Sequence, residues 1–156
     1  MLIEEIYHKS VLAIDEDKTV REAVGIMLKH NFNGLIVTNK NDKVVGVFSL
    51  QDVAGATLPR QFKENVYMAN AMYTPGFFKE MVQKIENKKV KKIMRRDFMS
   101  VSRDTQIMAV TADFLKNDLY IVPVMDGDKL VGLVTRSEIK HALAKAMELE
   151  ITKSRD

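Results

Sequence analysis

Residues 46–52 read GVFSLQD, and residues 132–138 read GLVTRSE. In each stretch an apolar run that favours a β-strand ends at a hydroxyl side chain, Ser49 or Thr135, and a helix is predicted to begin directly after it. A carboxylate follows the hydroxyl residue three positions later in both stretches. The two stretches occupy the same place in a longer internal repeat, and this repeat decides the fold.

The repeat covers most of the chain. Residues 3–39 align without a gap with residues 90–126, and one residue is then lost in the turn that follows. Each copy predicts the element order β-α-β-β-α. One copy is too small to bury its sheet face alone, whereas two copies packed together can do so.

We therefore expect an α/β protein of the α+β type, in which tandem β-α-β-β-α repeats pack with pseudo-twofold symmetry and a helical insert lies between them. The predicted organisation is a first repeat over residues 1–60, a helical insert over residues 61–89 and a second repeat over residues 90–156.

The boundaries of the repeated elements follow from periodicity and capping signals. Helices are predicted to begin near Thr19 and Gln106, and Thr19 with Glu22 forms a capping-box sequence. The predicted strands cover residues 11–14, 34–38 and 43–48 in the first repeat and residues 98–101, 121–125 and 129–134 in the second.

The insert shows helical patterns of its own. Residues 62–72 predict one helix, and Thr74-Pro75-Gly76 predicts the start of another, with threonine as the cap and proline in the first turn. Met68, Met72 and Met81 add adaptable apolar surface. The insert is predicted either to pack between the repeats or to form a subunit interface.

The composition excludes several classes of protein. The chain has 156 residues, of which 46% are hydrophobic and 29% charged, as is typical of a globular protein. It contains no cysteine, which excludes disulfides, thiolate metal sites and a cysteine nucleophile. No apolar run approaches the roughly 18 residues of a membrane helix, and the acidic start does not resemble a secretory signal. We expect a cytoplasmic location.

Basic residues cluster between Lys88 and Arg96, although the net charge is only +3. A solvated surface is the favoured interpretation, because no aromatic residues alternate with these charges as single-strand binding would require. Attraction for nucleic acid or another polyanion is the alternative interpretation.

Catalytic signals are absent from the sequence. The three histidines, His8, His30 and His141, are scattered without a metal-ligand spacing, and there is no phosphate-binding loop of the G-x-x-x-x-G-K-[S/T] type. We therefore expect no enzymatic activity, no metal site and no required cofactor.

Each strand–hydroxyl–helix junction has two interpretations. The exposed N–H groups of a helix start favour an anion, and a carboxylate one turn later can accept hydrogen bonds from a ribose diol. The same residues also form a capping box that satisfies only the helix itself. Thr135 with Glu138 matches the usual capping preference, whereas Ser49 with the shorter Asp52 favours ligand binding. Arg136 adds a cation that can pair with phosphate.

The repeat with G-h-h-[S/T]-x-x-[D/E] at the end of each copy, where h is an apolar residue, resembles a pair of cystathionine β-synthase (CBS) domains, a Bateman module. Val90-Lys-Lys-Ile-Met94 is similar to the opening of such a domain, and Ile121-Val-Pro-Val124 is similar to its h-h-P-V strand. The resemblance implies a pseudo-twofold module that binds adenosine-containing ligands in clefts between the two sheets. It also implies that two modules often dimerise into a flat disc.

The resemblance implies specific binding residues. Asp52 would hold ribose and Ser49 a phosphate or ribose oxygen, while Thr135 and Glu138 would do the same in a second cleft, with Arg136 near phosphate. Apolar and backbone groups would contact adenine at Val11, Ala13, Gly34, Leu35, Ile36, Phe98, Ser100, Ile121, Val122 and Pro123. Ile36 replaces the proline of the family pattern and Glu138 replaces its aspartate, so one occupied cleft is favoured over two.

The function that we predict is that of a non-catalytic regulatory module that transmits energy or metabolite status to a partner protein. AMP, ADP or ATP is the expected ligand, with S-adenosylmethionine and NAD as further candidates, and a homodimer is expected. The alternative is a structural or protein-interaction module that dimerises through the Met-rich insert and binds no ligand.

Overall fold

A computed structural model describes residues 1–71, 74–119 and 121–150 of the chain. The chain forms two compact units. We call Ala13–Arg96 the N-terminal unit, and Met1–Leu12 together with Asp97–Asp156 the C-terminal unit. Each unit therefore contains the main part of one repeat and the opening segment of the other.

The N-terminal unit contains a three-stranded sheet in the order β1-β2-β3. Strand β1 is parallel to β2, and β2 is antiparallel to β3. The elements of its repeat are β1 (Ala13–Asp15), α1 (Val20–His30), β2 (Gly34–Thr38), β3 (Val44–Ser49) and α2 (Leu50–Thr57).

The insert and the segment after it complete the N-terminal unit. The described residues of the insert form three short helices, and a 3₁₀ turn opens the second repeat. They are α3 (Arg60–Glu64), α4 (Val66–Ala71), α5 (Phe77–Gln83) and the turn Val90–Lys92.

The C-terminal unit contains a two-stranded antiparallel sheet of β4 and β5. Its elements are a 3₁₀ turn (Ile3–Glu5), α6 (Ile107–Asn117), β4 (Ile121–Asp126), β5 (Lys129–Thr135) and α7 (Arg136–Ala146). Its core joins Ile3 of the opening segment to Val110 and Phe114 of α6 and to Val122 and Val134 of the sheet. The predicted α+β class is confirmed, and the order α-β-β-α occurs in both repeats, whereas the first strand of the predicted repeat forms only in the N-terminal unit.

Two predicted elements and one predicted helix cap differ from the structure. Residues 98–101 form no strand, and only Val101 pairs with Val124 in an isolated bridge, because a turn closed by the Ser102 N–H and Thr105 Oγ1 begins directly after it. The helix predicted over residues 62–72 is interrupted at Asn65, which is extended and whose Oδ1 accepts the Met68 N–H. The end of that prediction, Met72, lies outside the described residues.

The cap of α5 also differs from the prediction. Gly76, not Thr74, precedes the helix, with a φ of 82° that favours glycine. The Thr74 carbonyl instead accepts the Phe77 N–H, which closes the turn before the helix.

The opening segment of each repeat pairs with the last strand of the other repeat. In the C-terminal unit His8 exchanges two backbone hydrogen bonds with Leu133, at 2.9 and 3.0 Å, and in the N-terminal unit Arg95 exchanges two with Val47, at 2.8 and 3.0 Å. His8 and Arg95 are equivalent in the repeat, as are Leu133 and Val47. One long-range contact is thus made twice.

Glycine is required beside each of these contacts. A Cβ atom built on Gly132 lies 2.4 Å from the His8 carbonyl oxygen and 2.5 Å from the Tyr7 ring, and one built on Gly46 lies 2.9 Å from the Arg95 carbonyl oxygen. Such distances are shorter than any normal contact, so the backbone would have to move apart.

We expect Gly132→Ala to lower the free energy of unfolding by roughly 1–3 kcal/mol, because the added methyl group overpacks a contact with backbone. Gly25→Ala is the matched control, since its Cβ meets nothing within 4 Å and alanine favours a helix. Urea unfolding measures both. Equal stabilities of Gly132→Ala and the parent chain would contradict this account of the packing.

An ion pair also holds the opening segment of the second repeat in the N-terminal unit. Asp17 Oδ1 lies 2.8 Å from Lys91 Nζ and 3.5 Å from Lys89 Nζ. The hydrogen bond from Lys91 lowers the pKa of Asp17, and the same bond raises the pKa of Lys91. Because the pKa of Asp17 is depressed, its contribution to stability is present above the ordinary aspartate pKa and is lost as the pH falls through the folded-state value.

We expect Asp17→Asn to destabilise the chain at pH 7 and to destabilise it less at pH 3, because the contribution of the carboxylate decreases as the pH falls below the ordinary aspartate pKa. Urea unfolding at the two pH values measures this, with Asp128→Asn in an exposed turn as the control. A loss of the same size at both pH values would show that the ion pair is not the cause.

Candidate functional site

The first candidate site is the junction between β3 and α2. Strand β3 ends at Ser49, which is only 4% exposed, and Asp52 lies half-buried in the first turn of α2. Asp52 Oδ2 accepts hydrogen bonds from the Ser49 N–H, at 2.8 Å, and from Ser49 Oγ, at 3.0 Å. The serine and the aspartate are therefore held together before any ligand is considered.

The second candidate site is the junction between β5 and α7. Glu138 Oε2 accepts hydrogen bonds from the Thr135 N–H, at 2.7 Å, and from Thr135 Oγ1, at 2.6 Å. Thr135 Oγ1 in turn accepts the Ser137 N–H at 3.2 Å, and Glu138 is only 3% exposed. Arg136 is exposed at the same helix start.

At the start of α1, for which no ligand role is predicted, a carboxylate likewise accepts hydrogen bonds from the backbone N–H and the hydroxyl of the residue before the helix. Glu22 Oε2 accepts the Thr19 N–H at 2.8 Å and the Thr19 hydroxyl at 3.2 Å, which confirms the predicted capping box. The bonds to Thr19 lower the pKa of Glu22. Asp52 makes the same two bonds to its own cap residue, so its shorter side chain does not distinguish a ligand site from a cap.

Accessibility does distinguish the two junctions. Among the described residues, the second carboxylate oxygen has no hydrogen-bond partner at either junction, but Glu138 is only 3% exposed whereas Asp52 is half-buried. The residue after the hydroxyl also differs: Leu50, 53% exposed, stands where the second junction has Arg136. The first junction therefore has the more accessible carboxylate.

The strand register brings several predicted adenine contacts to the first junction. Gly34 is paired with Ser49, Ile36 with Val47, and Ala13 with Ile36. Directly paired residues point to the same sheet face, so Ala13 and Ile36 share the face of Ser49. Leu35 lies between Gly34 and Ile36 and points to the opposite face, so only its backbone is available there.

The second junction has an equivalent arrangement within the C-terminal unit. Ile121 is paired with Thr135, and Pro123 with Leu133, so these residues share one face. The side chain of Val122 instead belongs to the core cluster, on the other face. Successive side chains of a strand point to opposite faces, so the sequence could have predicted that Val122 lies on a different face from Ile121 and Pro123.

The remaining predicted contacts lie outside the strands. Phe98 is half-buried and Ser100 is exposed, just before Val101, whose N–H donates to the Pro123 carbonyl. Val11 is 44% exposed and belongs to the C-terminal unit, whereas Ala13, two residues on, belongs to the N-terminal unit. The role of each of these residues in binding stays a prediction.

Neither a metal-binding cluster nor a membrane-spanning helix is present among the described residues. No group of three or more histidine, aspartate or glutamate side chains is arranged to hold a metal ion. Among these residues, no helix is both long enough and apolar enough to cross a membrane.

Comparison with known proteins agrees with the repeat. The CBS domain family model matches residues 3–58 and 90–145. These two matches cover both repeats, and the chain belongs to the CBS domain family.

The relatives match most of the chain. Uncharacterized protein MJ1232 of Methanocaldococcus jannaschii is 31% identical over 132 residues, which are 84% of this chain and 36% of that protein. Uncharacterized protein MJ1426 of the same organism is 25% identical over 154 residues, which are 92% of this chain and 91% of that protein. The chain thus spans about a third of the first relative and nearly all of the second.

A solved structure shares the fold. The CBS domain pair of protein MJ0100, crystallised in complex with 5′-methylthioadenosine and S-adenosyl-L-methionine, superposes with a TM-score of 0.70. It is 23% identical in sequence, and the match covers 94% of this chain and 98% of that one.

Proposed function

We propose that this chain is a non-catalytic regulatory module that binds an adenosine-containing ligand, with the Ser49/Asp52 junction as its principal contact. The observation that carries the proposal is the state of Asp52. One carboxylate oxygen is engaged by Ser49, and the other has no partner among the described residues in a half-buried position.

The chemistry of this junction suits a nucleoside. A carboxylate oxygen can accept hydrogen bonds from ribose hydroxyls, and charge-assisted bonds of this kind are strong. Ser49 orients the carboxylate through two bonds, so little side-chain freedom is lost on binding. Ala13 is exposed on the same sheet face and offers apolar surface to a base, whereas Ile36 beside it is fully buried and supports that face from within.

The ligands of the MJ0100 domain pair support this ligand class, because 5′-methylthioadenosine and S-adenosyl-L-methionine both contain adenosine. Leu50 stands at the position in α2 where the second junction has Arg136, which favours a less anionic adenosine derivative at the first junction than at the second. Arg136 at the second junction favours a phosphorylated ligand such as AMP, ADP or ATP.

The second junction is the weaker of the two proposed contacts. Glu138 is almost completely buried and bound to Thr135 through both the backbone and the hydroxyl. Its carboxylate is therefore used chiefly as a cap, and a ligand there would depend more on Arg136 and the backbone.

We expect Asp52→Ala to weaken ligand binding by roughly tenfold or more, about 1.4 kcal/mol, and to lower stability by about 1 kcal/mol through loss of the cap. Glu22→Ala removes an equivalent cap in the same unit and should lower stability without changing affinity. Glu138→Ala should weaken binding less than Asp52→Ala. Isothermal titration with AMP, ADP, ATP, S-adenosylmethionine, 5′-methylthioadenosine and NAD measures the affinities.

The absence of heat with every one of these ligands, at concentrations up to millimolar, would refute the adenosine proposal. Equal effects of Asp52→Ala and Glu22→Ala would show that the Asp52 carboxylate is only a cap. A larger effect of Glu138→Ala would place the principal contact at the second junction.

The alternative function is an interaction module that forms a homodimer through the insert. Its support is the exposure of apolar side chains on the insert helices: Val66 is 75% exposed, Tyr67 88% and Phe78 69%. Apolar side chains grouped in this way are typical of interaction surfaces.

If the insert forms a dimer, substitution of Val66 and Tyr67 by serine should shift the chain toward monomer in sedimentation experiments across a range of protein concentrations. Met108→Ser, which changes a similarly exposed apolar residue on α6, is the control. A parent chain that sediments as a monomer at all concentrations would exclude this dimer.

A further inference from the structure

The contact between the opening segment of the second repeat and β3 also fixes the direction of the Arg95 side chain. Arg95 and Val47 are an antiparallel pair that exchanges two backbone hydrogen bonds, at 2.8 and 3.0 Å. Residues paired in this way project their side chains to the same face of a sheet. Val47 lies two residues before Ser49 on β3, so these two residues share one face. Arg95 therefore projects to the sheet face that carries Ser49.

The residue before Arg95 occupies the other face. Met94 is only 8% exposed, and its sulfur lies 2.7 Å from a Cβ atom built on Gly46. Gly46 directly precedes Val47 in β3, so that Cβ atom points to the face opposite to Val47. Met94 thus packs against the far side of the strand, which agrees with the placement of Arg95 on the Ser49 side.

Arg95 is close enough to take part in binding at the first junction. Ser49 lies two residues beyond Val47, which is roughly 7 Å along the strand. Arginine carries its guanidinium on a long flexible stem, so the charge can reach this distance while the backbone stays paired. Arg95 is half-buried and belongs to the same compact unit as Ser49 and Asp52. A charge in such a position acts more strongly than one in open water.

The charge of the first junction calls for a cation on this face. If the ribose hydroxyls of an adenosine derivative are held by Asp52, an oxyanion on the 5′ side of the ribose is repelled by the same carboxylate. Leu50, at the start of α2, has no charge to offset this repulsion. A guanidinium does so, and its planar fork of donors matches both carboxylate and phosphate oxygens.

The C-terminal unit places a different group at the equivalent position. His8 corresponds to Arg95 in the repeat and exchanges two backbone hydrogen bonds with Leu133, which lies two residues before Thr135. The imidazole therefore projects to the face of Thr135, as the guanidinium does to the face of Ser49. The two units share the backbone arrangement and differ in the group that faces a ligand.

We infer that Arg95 is a specificity-determining residue of the first junction, where its guanidinium pairs with an oxyanion on the 5′ side of a bound adenosine derivative. This inference rests on the proposed function, because it concerns the same ligand at the same junction. A single cation on this face suits a ligand with one oxyanion, either a phosphate or a carboxylate.

Isothermal titration of the full chain with AMP, S-adenosylmethionine and 5′-methylthioadenosine tests the inference. The first ligand carries a phosphate, the second a carboxylate and the third no oxyanion. Arg95→Gln should lower the affinity for AMP, for S-adenosylmethionine or for both by roughly tenfold or more, and it should leave the affinity for 5′-methylthioadenosine unchanged. A loss confined to AMP identifies a phosphate as the partner of Arg95, and a loss confined to S-adenosylmethionine identifies a carboxylate.

Two further variants are matched controls. Arg96→Gln removes the same charge from the neighbouring, exposed residue, whose Nη2 donates to the Lys91 carbonyl at 3.5 Å, and it should leave all three affinities unchanged. Arg95→Lys keeps the charge but loses the fork, so it should cause a smaller loss than Arg95→Gln. Urea unfolding verifies that the variants are folded, since the backbone bonds to Val47 do not involve the side chain.

The possible failures are distinguishable. An equal loss for 5′-methylthioadenosine and the charged ligands would show that Arg95 only supports the fold, and an equal loss with Arg96→Gln would show a general effect of charge. Unchanged affinity for AMP and S-adenosylmethionine in Arg95→Gln, together with weakened binding in Asp52→Ala, would overturn the inference and leave the proposed function intact. A parent chain that binds only 5′-methylthioadenosine would have the same meaning. A parent chain that binds none of the three ligands would refute the proposed function and this inference with it.

Discussion

The structure depends on one backbone contact that is made twice, between the opening segment of each repeat and the last strand of the other. His8 with Leu133, and Arg95 with Val47, each exchange two hydrogen bonds and give a strand edge a partner. The contact requires close approach over Gly132 and Gly46, where a methyl group has no room. As a result, neither compact unit consists of one repeat alone.

The helix starts show why a binding site and a cap are hard to separate by hydrogen-bond geometry. Three junctions, at Thr19, Ser49 and Thr135, bind a carboxylate through the same backbone N–H and hydroxyl. A cap that orients a carboxylate also prepares it for a ligand, provided that one oxygen stays accessible. Accessibility of the Asp52 carboxylate, rather than its bonds to Ser49, therefore supports the proposed site.

Much of the site was predictable because its signals are local. Hydrophobic periodicity located the strands that end at Ser49 and Thr135, and the capping-box spacing located the starts of α1, α2 and α7. Strand alternation could also have placed Val122 in the core, away from Ile121 and Pro123. The break at Asn65 was missed because a single capping residue interrupts an otherwise helical pattern. The start of α5 was predicted, but a glycine with positive φ, and not Thr74, directly precedes the helix.

The sequence by itself determined the repeat, the order of its elements, the capped junctions and the family, since each is carried by neighbouring residues or by comparison of one copy with the other. Only the tertiary structure decided which repeat each opening segment joins and how accessible Asp52 and Glu138 are. These properties depend on contacts between residues far apart in the chain. Periodicity and spacing do not encode them, because many long-range pairings are compatible with the same local pattern.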